Sequence, residues 1–446
     1  MIRDLTEGRP FRVLLLFSLP MFFSMLFQQI YNLADSLIAG RFISEAALGA
    51  VGTCYPVTVI FIAIASGLSL GANTAAARAF GGKDWKELRQ MIPTALLFML
   101  LLSAAVMAAG LFACGPLLDL LQIPSDLREM CEVYLRIYLF GLPFLFLYNM
   151  AGSLFQALGD SRTPWRFLAA ASVLNVLLDL LFAAVLNMGI PGTAWGTFLA
   201  QGFSAVGSCA ALLRPFRRRI LPEGAGRLVR WKYAGIILKL GIPSVLQQVF
   251  ISLGQLSLQS VINPYGSGAV AGYTAAFRIN TLFVTTTMTL SNALSSFVSQ
   301  NLGAKKTERV RAGVGLALLI SEGITLLILA VCLLFREPLI RLFVTEGASR
   351  ETLETGTLFL TVAAPFFPVC CLKNTMDGAL RGMGAMKCFM AATFADILVR
   401  IFLGAPFSSR YGLEGVFWVW PAAWIVGTAL SVLFYFFQKR CRIDRG

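Results

Sequence analysis

The chain has 446 residues, 57% of them hydrophobic and 13% charged, with a mean hydropathy of +0.75 and a formal net charge of +14. Soluble globular chains are about half apolar and a quarter charged, so this much apolar surface requires the bilayer as its solvent. A soluble enzyme, a nucleic-acid-binding domain and a disordered linker protein are excluded, and no nucleic-acid partner is expected.

The opening MIRDLTEGRPFRVLLLF carries its apolar run too far for a secretory leader and shows no small-residue cleavage site. It reads as the approach to a first membrane span. Twelve runs of about 20 apolar residues can each cross as a helix: 13–37, 46–72, 91–114, 131–155, 165–187, 193–213, 233–258, 268–297, 312–335, 355–380, 387–407 and 413–437. Span 1 holds Pro20 in its interior and Asp35 near its end. Span 2 leads into Phe80-Gly81-Gly82-Lys83, and span 4 into Ala157-Leu158-Gly159. Span 5 carries Asn175 and Asp179, and span 6, entered through Gly189-Ile190-Pro191-Gly192, carries Thr197. The segment 214–232 is basic and holds Pro215, Pro222, Gly224 and Gly226, the composition of a linker. Span 7 carries Pro243 and four glutamines, Gln247, Gln248, Gln255 and Gln259. Span 8 leads into Leu302-Gly303-Ala304-Lys305, span 10 into Ala379-Leu380-Arg381-Gly382, and span 12 opens at Gly412-Leu413-Glu414-Gly415.

With the N-terminus taken as cytoplasmic, the inside segments hold 26 Lys and Arg and the outside segments 6. One missed helix would invert every later loop, so this split supports both the span count and cytoplasmic placement of both termini. The motifs of the two halves recur at a spacing of 222–225 residues. Each half has six spans, an even number, so the halves enter the membrane the same way round. A pseudo-twofold axis along the membrane normal is the symmetry expected of such a parallel repeat. The expected organisation is an all-α integral membrane protein of two six-helix lobes. These are an N-lobe at 1–213, a cytoplasmic linker at 214–232, a C-lobe at 233–438 and a cytoplasmic tail at 439–446.

No G-x-x-x-x-G-K-[ST] phosphate cradle occurs, so the chain has no means of hydrolysing nucleotide alone, and energy must come from an ion gradient, a partner or the substrate's own gradient. Nine Cys lie mostly within apolar stretches without a C-x-x-C and read as small packing residues. There is no His, so any proton relay falls to carboxylates.

Ionisable residues inside spans are costly and are functional candidates by default. Asn175 and Asp179 are four residues apart and share a helix face. Together with Asp35 and Thr197 they supply two carboxylates, an amide oxygen and a hydroxyl. These hard oxygens suit a small cation such as Na+, and two close carboxylates can equally share a proton. The second half differs: the counterparts of Asp35, Asn175 and Asp179 are Leu258, Arg400 and Gly404. Lys373 with Asp377 and Asp396 with Arg400 are i, i+4 pairs that can neutralise one another.

The residues Gln28-Gln29-Ile30-Tyr31-Asn32-Leu33-Ala34-Asp35-Ser36, Leu158-Gly159-Asp160-Ser161-Arg162-Thr163-Pro164, Asn175-Val176-Leu177-Leu178-Asp179, Gly192-Thr193-Ala194-Trp195-Gly196-Thr197 and Leu380-Arg381-Gly382-Met383-Gly384 occur in this order. In this the chain resembles the multidrug and toxic compound extrusion (MATE) transporters, most closely their bacterial DinF-type branch. The resemblance implies a secondary active antiporter of the bacterial inner membrane, a monomer, exporting organic cations or drugs in exchange for H+ or Na+ by alternating access. It implies cation coupling at Asp35, Asn175, Asp179 and Thr197, the same set that the residues nominate. It places Gln28, Tyr31 and Asn149 in the N-lobe substrate cavity, and calls for no cofactor beyond the coupling ion. Another branch uses acidic residues in the C-lobe, where Gln and Cys stand here, so that site is not carried over. The competing reading is a lipid-linked saccharide flippase of the same superfamily. Such flippases often carry extra spans or a strongly cationic cavity.

Overall fold

The computed structural model describes residues 4–38, 43, 45–120, 123, 125–219, 228–344 and 349–442; within its helices the side chains of 31–37, 45–48, 120, 125–126, 184, 215–219 and 442 are not described. Among the described residues every regular element is helical. The first half comprises α1 (Pro10–Ile38), α2 (Glu45–Gly81), α3 (Trp85–Leu120), α4 (Ser125–Phe140), α5 (Leu142–Ala157), α6 (Arg162–Asp179) and α7 (Ile190–Arg219). The second comprises α8 (Lys232–Ile262), α9 (Ser267–Gly303), α10 (Thr307–Leu334), α11 (Arg336–Arg341), α12 (Arg350–Ala363), α13 (Phe367–Gly382) and α14 (Met386–Arg442).

Among the described residues nine helices are long and apolar enough to cross a membrane, or ten when the bent pair α4–α5 counts as one span. The twelve expected spans follow from two further features. The helix α14 joins spans 11 and 12 across Gly412, whose backbone (φ 64°, ψ −150°) is not helical. The helix α9 supplies span 8: at 37 residues it is long enough, but Thr and Ser lower its hydropathy. Its hydroxyls return to carbonyls four residues back, Thr285 to Thr281, Thr286 to Leu282 and Thr289 to Thr285, at 2.7–2.8 Å. Polar side chains bonded in this way are satisfied without water.

The internal repeat is written in the backbone. Left-handed residues recur at the expected spacing: Lys83 (φ 56°) and Lys305 (φ 58°), Gly159 (φ 79°) and Gly384 (φ 71°), Gly189 (φ 64°) and Gly412 (φ 64°). For the two lysines this conformation is strained, and the same turn holds both: Asp84 N–H donates to the Ala79 carbonyl and Lys306 N–H to that of Asn301. Span 4 bends by 46° between α4 and α5, just ahead of Pro143. Span 10 is interrupted at Ala364–Phe366, where Pro365 stands 222 positions after Pro143.

The chain divides into two compact units, residues 1–4 with 19–245, and residues 5–18 with 246–446. The lobes drawn from the repeat and these packing units differ at 5–18 and at 233–245. Both changes of unit fall beside a proline inside a helix, Pro20 in α1 and Pro243 in α8, where a backbone N–H is missing and the helix bends most readily. In the first unit the α8 backbone comes directly against α2 at two glycines: a β-carbon on Gly71 would stand 2.5 Å from the Gly241 nitrogen, and one on Gly67 as close to that of Val245. Small residues four apart permit such contact in a membrane helix pair. The first core is mainly aliphatic, with Met91, Ile92, Met99, Met150 and Leu154 among its members. The second is aromatic, with Phe283 stacked on Phe367 at 4.0 Å and Phe417 beside Phe359 and Tyr273. The nine cysteines are free thiols, six of them buried.

Candidate functional site

Asp179 is the last residue of α6, and the chain continues into a π-helical stretch, Leu180–Val185. Widened turns of this kind cost hydrogen-bond geometry and cluster at functional positions. The Asp179 and Asn175 side chains are fully buried. The Asn175 amide donates to Asp179 Oδ1 at 3.4 Å and to Thr197 Oγ1 of α7 at 3.3 Å. Three of the four expected coupling residues thus converge where α6 meets α7. A carboxylate, an amide and a hydroxyl gathered in a membrane interior can exchange a proton or hold a small hard cation.

Gly196, one position before Thr197, is required by this geometry and was not singled out by its chemistry. A β-carbon there would overlap Asp179 Oδ1 and lie 3.3 Å from the Asp179 nitrogen. Its signal in the sequence is only its place within Gly192-Thr193-Ala194-Trp195-Gly196-Thr197.

The fourth expected coupling residue, Asp35, and the expected cavity residue Tyr31 lie on α1, but their side chains fall outside those described. Gln28 is exposed on α1. Asn149 on α5 is half-buried and donates to the Leu145 carbonyl of its own helix at 2.8 Å. Neither joins the Asn175 trio by a hydrogen bond among the described residues. Asp160, in the segment before α6, is a structural cap: its Oδ1 accepts from the Arg162 and Thr163 amides and its Oδ2 from the Thr163 hydroxyl.

The second unit buries a different set. Lys373 Nζ donates to Asp377 Oδ2 at 2.9 Å, and Ser431 donates to Asp377 Oδ1 at 2.6 Å. Arg400 donates through Nε and Nη2 to Asp396 Oδ2 at 3.2 and 3.1 Å. All four charged side chains are at least nine-tenths buried, so these i, i+4 pairs neutralise charge away from water. Ser431, 54 positions from Asp377, could not have been found by spacing.

The MatE family matches the chain twice, over residues 20–181 and 243–405. The chain belongs to the MatE family. The two matches repeat the two halves seen in the backbone, and they place the MATE protein among membrane transporters rather than catalysts. It is similar to the "probable multidrug resistance protein YpnP" of Bacillus subtilis, 30% identical over 433 residues that cover 97% of this chain and 94% of that one. It is also similar to a protein named "FAD transporter" from Shewanella oneidensis, 25% identical, with 96% and 94% covered. Among solved structures, a MATE protein in complex with MaL6 superimposes with a TM-score of 0.90 at 24% identity, covering 99% of this chain and 98% of that one. This last likeness concerns the fold alone.

Proposed function

We propose that this MATE protein is a secondary active exporter that exchanges organic, cationic drugs or toxic metabolites for H+ or Na+ across the bacterial inner membrane. The observation that carries this reading is the buried Asp179 carboxylate, gathered with Asn175 and Thr197 at the α6–π junction and given its space by Gly196. Asp35 on α1 is the second carboxylate of the proposed site, and Gln28, Tyr31 and Asn149 line the proposed drug cavity. An incoming proton or Na+ cancels negative charge in the N-lobe, and a cationic drug held there loses attraction and leaves. The emptied carboxylates then draw the next drug molecule. Rocking of two repeats about the 214–232 linker supplies alternating access. The protein works as a monomer, without a cofactor, with both termini in the cytoplasm. The name of the Bacillus subtilis relative supports drug export. A lipid-linked saccharide flippase remains the alternative.

The test is efflux of a fluorescent quaternary ammonium dye from proteoliposomes with H+ and Na+ gradients imposed separately. Uphill dye movement under one gradient, lost in Asp179→Asn, supports the proposal. Dye movement insensitive to both gradients, or transport of a lipid-linked saccharide instead, overturns it.

A further inference from the structure

The same backbone markers that reveal the repeat let the N-terminal site be traced into the C-terminal half residue by residue. Gly159 and Gly384, both left-handed and 225 positions apart, open the paired helices, so Asn175 corresponds to Arg400 and Asp179 to Gly404. Gly189 and Gly412, 223 apart with the same φ of 64°, open the next pair, so Thr197 corresponds to Trp420. The spacing shrinks by two residues between these markers, across 180–188, the stretch that begins with the π-helical turn after Asp179. Pro20 and Pro243 set the register of the first helices, so Asp35 corresponds to Leu258.

One pair of counterparts touches as its originals do. Where Asn175 reaches Thr197, Arg400 lies over the Trp420 ring at 4.1 Å from its centroid. A β-carbon on Gly404 would meet Leu258 Cδ2 at 3.3 Å. The contact between the paired helices is therefore kept while none of the four counterparts offers a side-chain oxygen, and a guanidinium stands in their place. Its stem passes close to Gly254 of α8, where a β-carbon would come within 3.2 Å of Arg400 Cδ. Its charge is met by Asp396, one turn earlier, and both contacts fall on Oδ2. The other oxygen, Oδ1, is buried and has no hydrogen-bond donor among the described residues.

We propose that the C-terminal repeat is a permanently loaded copy of the N-terminal cation site, in which the Arg400 guanidinium is a tethered cation held between Asp396 and the face of Trp420. Cation–π contact and a carboxylate are the two means by which a desolvated organic cation is held. The pocket left by removing Arg400 is accordingly a site for a free guanidinium or small alkylammonium ion. Ion exchange is then confined to the N-terminal repeat, so this inference extends the proposed coupling site, although its test does not depend on that site.

The experiment is chemical rescue of the purified full chain. Arg400→Ala exposes the buried Asp396 charge and lowers Tm. Methylguanidinium or methylammonium chloride, at concentrations that leave wild type unchanged, should recover at least half of the lost Tm saturably, since a ligand bound only by the folded state stabilises it. Tetraethylammonium chloride at the same ionic strength should not. Arg400→Ala/Asp396→Asn should be stable and should not respond. Arg400→Gln, which keeps a stem against Trp420 and Gly254, carries the same titration should the alanine variant not accumulate. If neither single variant responds to any small cation while the double variant recovers the fold, Arg400 is only half of a structural ion pair and the proposal is overturned. Asp179→Asn added to Arg400→Ala must leave the rescue intact, which separates this outcome from any failure of the N-terminal coupling site.

Discussion

Asp179 and Gly196 face each other across α6 and α7 with no room for a side chain between them: the carboxylate Oδ1 occupies the space that a β-carbon on Gly196 would need. Gly196→Ala must therefore displace the carboxylate or part the helices, at a cost of about 1–3 kcal/mol. Coupling-ion affinity should fall about tenfold or more, equivalent to about 1.4 kcal/mol. Gly323→Ala on α10, with nothing within 4 Å of the added carbon, is the control. Ion-dependent dye efflux and Tm measured on both variants check this. Wild-type coupling in Gly196→Ala would show that the carboxylate position is not critical.

If Asp35 and Asp179 exchange an ion against a cationic drug, each ligand must weaken the other by the same factor, typically 5–150-fold. Dye affinity of the wild-type protein should fall as Na+ or proton concentration rises. Asn at both positions keeps the shape of the side chains but not their charge, so affinity in Asp35→Asn/Asp179→Asn should become flat in both ions. Equilibrium dye binding across a pH series and an Na+ series reads this directly. A flat wild-type profile would place drug and ion on separate, uncoupled sites.

The Lys373–Asp377 pair makes a contrasting case. Asp377→Asn takes from a buried ammonium its hydrogen-bonded counter-charge, a loss of up to about 3–5 kcal/mol, whereas removing both charges is close to neutral. Tm should fall sharply in Asp377→Asn and recover in Lys373→Met/Asp377→Asn. The ion dependence of dye efflux in the double variant should match wild type. A shifted ion dependence would mean that this pair takes part in coupling.

How much of this was legible in the sequence follows from the range of the interactions. Asn175 and Asp179, like Lys373 and Asp377, sit four apart on one helix, and helical geometry alone brings them together. The span count was legible because charge alternates with every crossing. Gly196 was not, since its constraint comes from a carboxylate on another helix. Ser431 and Trp420 were equally hidden, because they reach their partners through tertiary packing. The assignment of residues 5–18 to the second unit had no local signal either: nothing in the composition of Leu5–Gly8 says that the donors of α9 and α10 will receive it. The Asp35 and Tyr31 side chains fall outside the described residues, so the α1 part of the site rests on sequence alone.

That N-terminal segment supplies a last prediction. Leu5 is buried, its amide donating to Gln300 Oε1 at 3.0 Å and its carbonyl accepting from Asn301 at 3.3 Å. Lys306 Nζ donates to the Thr6 carbonyl at 2.8 Å, and the Arg309 guanidinium reaches the carbonyls of Leu5, Glu7 and Gly8. Gly8, at φ 74°, lets the segment turn into α1. A planar guanidinium with five fixed donors can hold three carbonyls at once, which a lysine ammonium on a flexible stem does less well. Arg309→Ala should therefore loosen the segment as a unit, with Arg309→Lys intermediate. The cost should be about 1–2 kcal/mol, reduced from that of charged hydrogen bonds because part of the contact is exposed. Amide hydrogen exchange at Leu5 should accelerate and protease cleavage ahead of α1 should become faster, while exchange within α13 stays as in wild type. If Leu5 exchange is unchanged in Arg309→Ala, the segment is held by burial of Leu5 and by the Gln300 and Asn301 amides alone, and the guanidinium contributes nothing to its attachment.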